Sequence, residues 1–243
     1  MSFFGLIFTI GLVVCYLSVK ARISTKKCAI ITSESVNQSF FYGTICAVFG
    51  GHFGYLFINY SELLTVAPLL FFMPWIGGFS LPIALMSAAL AIVICQKKQL
   101  ANSIMMSDFI VLSLPIVVFA LQLPLYLAQS SQSSANAHLA IDELLIFGSA
   151  YFVVWAVTYF IAKQQQKLGS ATGCFLIALA VVQVIMQFTL LKAANGNSEL
   201  ANNAAFIHIS AEIWLNIFML VTGIAILYWG YVNHANSLIA EKN

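Results

Sequence analysis

Seven stretches of about 20 mostly apolar residues, joined by short polar links, constrain this chain more than any other feature. They run at about 3–19, 39–60, 76–95, 108–127, 144–162, 171–191 and 210–232. A helix needs about 20 such residues to cross the hydrocarbon of a bilayer. In lipid every backbone polar group must be satisfied internally, and for stretches this long the α-helix does so. The expected fold is all-α: a polytopic membrane helix bundle of seven transmembrane helices, forming a single transmembrane domain over 1–243. Composition excludes the soluble alternative. Charged residues make up 7% of the chain, against about 25% in a typical soluble domain, too few to clothe a water-facing surface.

The basic residues set the orientation. Lys20, Arg22, Lys26 and Lys27 lie in the first link, Lys97 and Lys98 in the third, Lys163 and Lys167 in the fifth, and Lys242 in the tail. Links on the opposite side hold only Lys192. Positive charge accumulates on the cytoplasmic side. Nine of the ten basic residues then share that side, with the N-terminus outside and the C-terminus inside. The first stretch is uncharged up to Val19 and followed by Lys20. A cleavable signal has the reverse order, so a retained helix is expected. A net charge of +2 gives no reason to expect nucleic acid as a partner. The five cysteines form no CxxC pair, so neither a zinc site nor a disulfide framework is expected. No metal and no cofactor motif is apparent.

Ionisable groups inside a membrane are costly and mark function by default. His52 lies mid-helix, and a neutral imidazole bonded to another helix is its plain alternative. Asp108, Glu143 and Glu212 open the fourth, fifth and seventh stretches, where an acid also caps free amides. Gln122, Gln183 and Gln187 are buried by position, the last two on one helical face. Pro82 and Pro115, with Pro124, are expected to kink their spans. Gly50, Gly51 and Gly54 cluster in the second stretch, and Gly77 and Gly78 open the third. Small residues there fit either close helix packing or contact with a lipid.

The order of these landmarks resembles a known family. Phe49-Gly50-Gly51-His52-Phe53-Gly54-Tyr55 resembles the Gly-Gly-Arg-Ile-Gly-Tyr segment of bacterial prolipoprotein diacylglyceryl transferases. Trp75-Ile76-Gly77-Gly78-Phe79-Ser80-Leu81-Pro82 resembles their Trp-Asp-Gly-Gly-Met-Ser-Phe-His. Ser107-Asp108-Phe109-Ile110 is similar to Ser-Asp-Phe-Ile, and Glu143-Leu144-Leu145 to the Glu-Leu-Leu opening a later helix. Gly169-Ser170-Ala171-Thr172-Gly173-Cys174-Phe175-Leu176-Ile177 is similar to Gly-Ala-Val-Ser-Gly-Leu-Phe-Leu-Ile. The resemblance implies a seven-span enzyme of the bacterial inner membrane. That enzyme moves diacylglyceryl from phosphatidylglycerol to a lipobox cysteine, so a phospholipid and a lipoprotein are the implied partners.

The chain departs from this pattern at its charged positions. Pro82 stands where the family has histidine. Gln122 replaces an arginine, Gln183 another arginine, Gln187 a glutamate, and His52 the arginine beside the glycines. Glutamine lacks the charge and forked donors with which arginine clamps a phosphate. The resemblance therefore implies a scaffold with a neutralised reaction centre. Gly50, Gly51, His52, Gly54, Tyr55, Gly77, Gly78, Gln122, Gln183 and Gln187 are its candidate lipid-binding residues. The leading expectation is a catalytically degenerate relative that binds phospholipid or a lipoprotein or membrane partner. One alternative is an active, divergent transferase in lipoprotein biosynthesis, with His52, Glu143 and His138 as candidate catalytic groups. Another is a structural or assembly subunit of a membrane complex.

Overall fold

The computed structural model describes residues 3–26, 32–60, 69, 79–96, 100–115, 117–118, 137–164, 167–194 and 199–240. Among them the chain is all-helical, without strands. Its helices are α1 (Phe3–Lys26), α2 (Ser33–Asn59), α3 (Leu81–Cys95), α4 (Leu100–Val111), α5 (Ala137–Gln164), α6 (Ser170–Ala194) and α7 (Glu199–Ala240). Among the described residues two segments are long and apolar enough to cross a membrane, Ser33–Ile58 and Ile213–Asn233. Their outer faces carry exposed Phe41, Ile45 and Phe57, and Trp214, Phe218 and Tyr228. Large apolar side chains in such numbers suit contact with lipid rather than water.

Several helices outrun the apolar stretches that announce them. α7 has 42 residues, roughly 63 Å at 1.5 Å per residue, about twice the 30 Å hydrocarbon thickness. Glu212 is therefore well inside α7, and Glu143 is in the second turn of α5. Asp108 is near the end of α4 rather than its start. None of the three caps the helix it was expected to open. Hydropathy locates the membrane boundary, whereas a helix ends where its backbone hydrogen bonds end.

Pro82 likewise produces no kink. It occupies the first turn of α3, directly after Ser80 and Leu81. A proline there forfeits no helical hydrogen bond, because first-turn N–H groups have no intrahelical acceptor. Pro115 behaves as expected. α4 stops at Val111, residues 112–113 form a turn, and helix resumes at 114. Proline lacks the N–H that the Val111 carbonyl would accept, and its ring crowds that carbonyl. Pro124 lies outside the described residues.

The chain forms two compact units. One comprises Met1–Ile30, Ile104–Leu179 and Gly223–Asn243, the other Ile31–Ser103 and Ala180–Thr222. In the first unit α6 and α7 run antiparallel with backbones in contact. A Cβ on Gly173 would lie 2.8 Å from the Gly223 carbonyl oxygen, and one on Gly223 2.9 Å from that of Gly173. Gly230 packs in the same way on the Leu168 carbonyl. Only glycine permits this approach, the usual device of close-packed membrane helices.

In the second unit α2 packs antiparallel on α3. Gly43 faces Ile92, Gly50 faces Ser87, and Gly54 faces Ile83. At the far end Gln96 donates from Nε2 to the hydroxyls of Ser35 (2.7 Å) and Ser39 (2.9 Å). This buried bridge joins the end of α3 to the first turns of α2. Thr32 caps α2 by accepting from the Ser35 N–H at 3.2 Å.

Candidate functional site

The segment 50–55 sits where α3 begins. The Ser80 N–H donates to the Gly51 carbonyl at 3.0 Å. The Phe79 ring lies against Gly51, where a Cβ would come within 2.5 Å of it. Gly50, Gly51 and Gly54 therefore face protein, and close packing accounts for all three. His52 is completely buried. Tyr55 is half-buried and lies 5.9 Å from the Tyr60 ring. Gln183 is also half-buried.

Gly77, Gly78 and Gln122 lie outside the described residues. His138 and Glu143 are on α5 and Gln187 on α6, but their side chains also lie outside what is described. Of the three candidate catalytic residues, only His52 has a described side chain, on α2 where that helix meets the start of α3.

Three buried polar groups went unremarked in the sequence. Among the described residues, both amide atoms of Asn216 and the hydroxyls of Ser80 and Ser113 are buried without a hydrogen-bond partner. Asn216 and Ser80 are each 1% exposed and belong to the second unit. Ser80 is the N-cap residue of α3, yet its side chain makes no capping bond. An unsatisfied buried polar group costs about 1–3 kcal/mol. Their residue type gave no signal, since serine and asparagine are common in any helix bundle.

In the first unit the Asp108 carboxylate is fully engaged. One oxygen accepts from the Gly169 N–H at 2.7 Å. The other accepts from the Thr172 N–H at 2.8 Å and the Thr172 hydroxyl at 2.6 Å. Asp108 therefore caps α6 from another helix, where its charge also opposes the positive end of the helix dipole. Gly169 takes φ of +81°, a left-handed conformation that glycine adopts without steric cost. Lys167 and Arg22 lie in the same unit. Lys167 Nζ is 5.0 Å from the Tyr231 ring centroid. Burial pulls the Arg22 guanidinium below its ordinary pKa, against the opposing influence of nearby Tyr159 and Cys15.

These features define a protein that is all-helical among the described residues and of membrane character, with close glycine contacts between its helices. Residues 1–130 match the family described as prolipoprotein diacylglyceryl transferase, and the chain belongs to that family. It is similar to the phosphatidylglycerol–prolipoprotein diacylglyceryl transferase of Nitrosomonas europaea, at 22% identity over 94% of this chain and 85% of that protein. The proteins of the same name from Pseudoalteromonas atlantica and Burkholderia ambifaria are each 21% identical over 94% of this chain. They are covered over 85% and 90% of their own lengths.

Proposed function

We propose that this protein is a lipid-handling member of its family in the bacterial inner membrane that has given up the standard transfer reaction. It holds a diacylglyceryl lipid or a lipoprotein partner. Phosphatidylglycerol and prolipoprotein are the substrates in its relatives' names. The observation that carries the reading is the chemistry at the departed positions. Pro82 is a first-turn helix residue with no titratable group, and His52 is sealed in protein. Activating a cysteine thiol takes a base, and stabilising a departing phosphate takes positive charge. Neither Pro82 nor Gln183 offers one or the other.

The reading takes 1–243 as one transmembrane domain of seven spans with the N-terminus outside. The contacts support that alternation. Gln96 at the end of α3 meets Ser35 at the start of α2. Asp108 meets the start of α6, and Lys167 meets Tyr231 far along α7. Each pair belongs to the side that the basic residues mark as cytoplasmic.

The second reading is an active, divergent transferase. Its support is the near full-length match to proteins that carry the transferase name. One assay separates the two: transfer of labelled diacylglyceryl from phosphatidylglycerol to a lipobox peptide by the purified protein. No transfer, together with failure to rescue a strain depleted of its own transferase, is the expected result. Rescue overturns the first reading and establishes the second.

A further inference from the structure

We propose that the exposed face of α5 in the cytoplasmic half of the membrane holds one anionic phospholipid, its phosphate met by Arg22 and Lys163 and an acyl chain laid along Tyr159, Trp155 and Phe152. The inference uses the seven-span orientation proposed above. It goes beyond the lipid-handling reading, because this lipid is a fixed companion of the fold rather than a substrate.

The first argument is the shape of the face. Phe152, Trp155, Tyr159 and Lys163 are spaced three and four apart on α5, so they line one side of the helix. Their rings form a ladder. The Phe152 and Trp155 centroids are 5.5 Å apart, and the Trp155 and Tyr159 centroids 5.6 Å apart at an interplanar angle of 21°. Phe152, Tyr159 and Lys163 are exposed and Trp155 is half-buried. Val153, Val157 and Phe160 beside the ladder are exposed as well, an apolar surround that suits a hydrocarbon chain. At 1.5 Å per residue the stripe from Lys163 to Phe152 is about 16 Å long, close to the roughly 15 Å hydrocarbon depth of one leaflet. Lys163, in the last turn of α5, therefore stands at the headgroups when Phe152 is near the midplane.

The second argument is charge. Arg22 reaches the same end of the stripe from α1, beside Tyr159, and both helices belong to the first unit. α1 carries no carboxylate, and neither does α5 beyond Glu143, so the charge these two helices present at this end is positive. The planar fork of a guanidinium matches a phosphate, and an ammonium adds a second point charge. Arg22 is half-buried, and an anion beside it offsets the hydration that burial removes. An anionic phospholipid brings both an anion for the two cations and a chain for the ladder. An acidic protein segment brings only the first, and a zwitterionic lipid carries its own cation to the headgroup level.

The test is quenching of Trp155 by brominated lipid in vesicles holding the full-length protein, with Trp75, Trp214 and Trp229 changed to phenylalanine. Dibrominated phosphatidate and dibrominated phosphatidylcholine of the same chain length are compared at equal mole fraction in dioleoyl-phosphatidylcholine. Phosphatidate should associate more strongly by roughly three- to tenfold, the scale of one or two cations at an anionic surface. If the triple variant does not fold, the difference in quenching between wild type and Trp155→Phe reports the same residue. Lys163→Gln should cut the preference by about twofold or more, and with Arg22→Gln added the two lipids should quench alike. Lys163 is exposed, so its single variant serves where the double variant does not fold. Lys20→Gln, on the other side of α1 from Arg22, should leave the preference unchanged. Equal quenching by the two lipids before these substitutions overturns the proposal, as does a preference that survives Lys163→Gln intact. Quenching by neither lipid means that protein covers the face, such as a second copy of this chain, and also overturns it. Equal losses in Lys20→Gln and Lys163→Gln mark diffuse surface attraction and overturn the assigned site. Each of these outcomes leaves the lipid-handling reading standing.

Discussion

Replacing Asp108 with asparagine isolates the clasp on α6. The side chain keeps its size, but one acceptor oxygen becomes an NH2 donor. If the remaining oxygen stays with Thr172, the new NH2 points at the Gly169 N–H, and two donors face each other. The carboxylate now accepts three short bonds, at 2.7, 2.8 and 2.6 Å. Hydrogen bonds to a charged group contribute about 1.5–3 kcal/mol each, and leaving a buried donor unpaired costs about 1–3 kcal/mol. The three share one carboxylate and do not add, so the expected loss is about 2–4 kcal/mol, at the scale of a single broken buried network. For a chain of this size that corresponds to a fall in melting temperature of about 5–15 °C. Thr172→Val removes only the hydroxyl and should cost about 1–2 kcal/mol. The double variant should cost less than the sum of the two by about 1 kcal/mol, because both remove the same bond. The assay is thermal unfolding of the purified variants in one detergent, followed by intrinsic tryptophan fluorescence. An Asp108→Asn midpoint within a degree or two of wild type would refute the clasp. Strict additivity in the double variant would show that the two residues act separately.

The glycines give a graded series. Gly173→Ala should destabilise by about 1–3 kcal/mol, the usual range for overpacking, because its Cβ meets a backbone carbonyl that cannot move aside. Gly43→Ala has its nearest neighbour at 3.8 Å and should be neutral or gain up to about 1 kcal/mol from helix propensity; the same melting measurement checks both. Gln96→Leu should cost about 1–3 kcal/mol by leaving the Ser35 and Ser39 hydroxyls without their donor, and hydrogen exchange should speed up in the first turns of α2. Alkaline phosphatase fused after Ser134 should be active in cells and inactive after Lys98, since the enzyme works only outside the cytoplasm; the reverse pattern would invert the topology.

How far the sequence could be read depended on the range of the interaction. Apolar length made the helices of α2 and α7 legible, because the cost of unsatisfied backbone in lipid depends on local composition. Their ends were not legible, since Glu143 and Glu212 mark where hydropathy changes while the helices run on. The Gly50, Gly51 and Gly54 contacts with α3 were anticipated as one of two readings. The Gly173–Gly223 contact was not, because two isolated glycines say nothing of each other until the helices are paired. The same limit hid the Asp108 clasp: an acid beside a serine reads as a local cap, whereas its partners are 61 and 64 residues away. His52 was placed deep in an apolar run, and its complete burial agrees.

The first turn of α3 bears on how much exchange a helix tolerates at one position. The family resemblance puts a histidine where this chain has Pro82. Almost anywhere else in a helix that exchange would break the chain's hydrogen bonding. In the first turn the helix demands nothing of the residue's N–H, so its backbone accepts an imidazole or an inert ring alike, and the buried position asks only that an imidazole find a partner. Natural selection acting on the fold alone would not notice which was present. Such a position is a fault line along which activity separates from architecture. It can be crossed in either direction, so the backbone of α3 should tolerate Pro82→His, checked by the melting temperature of that variant.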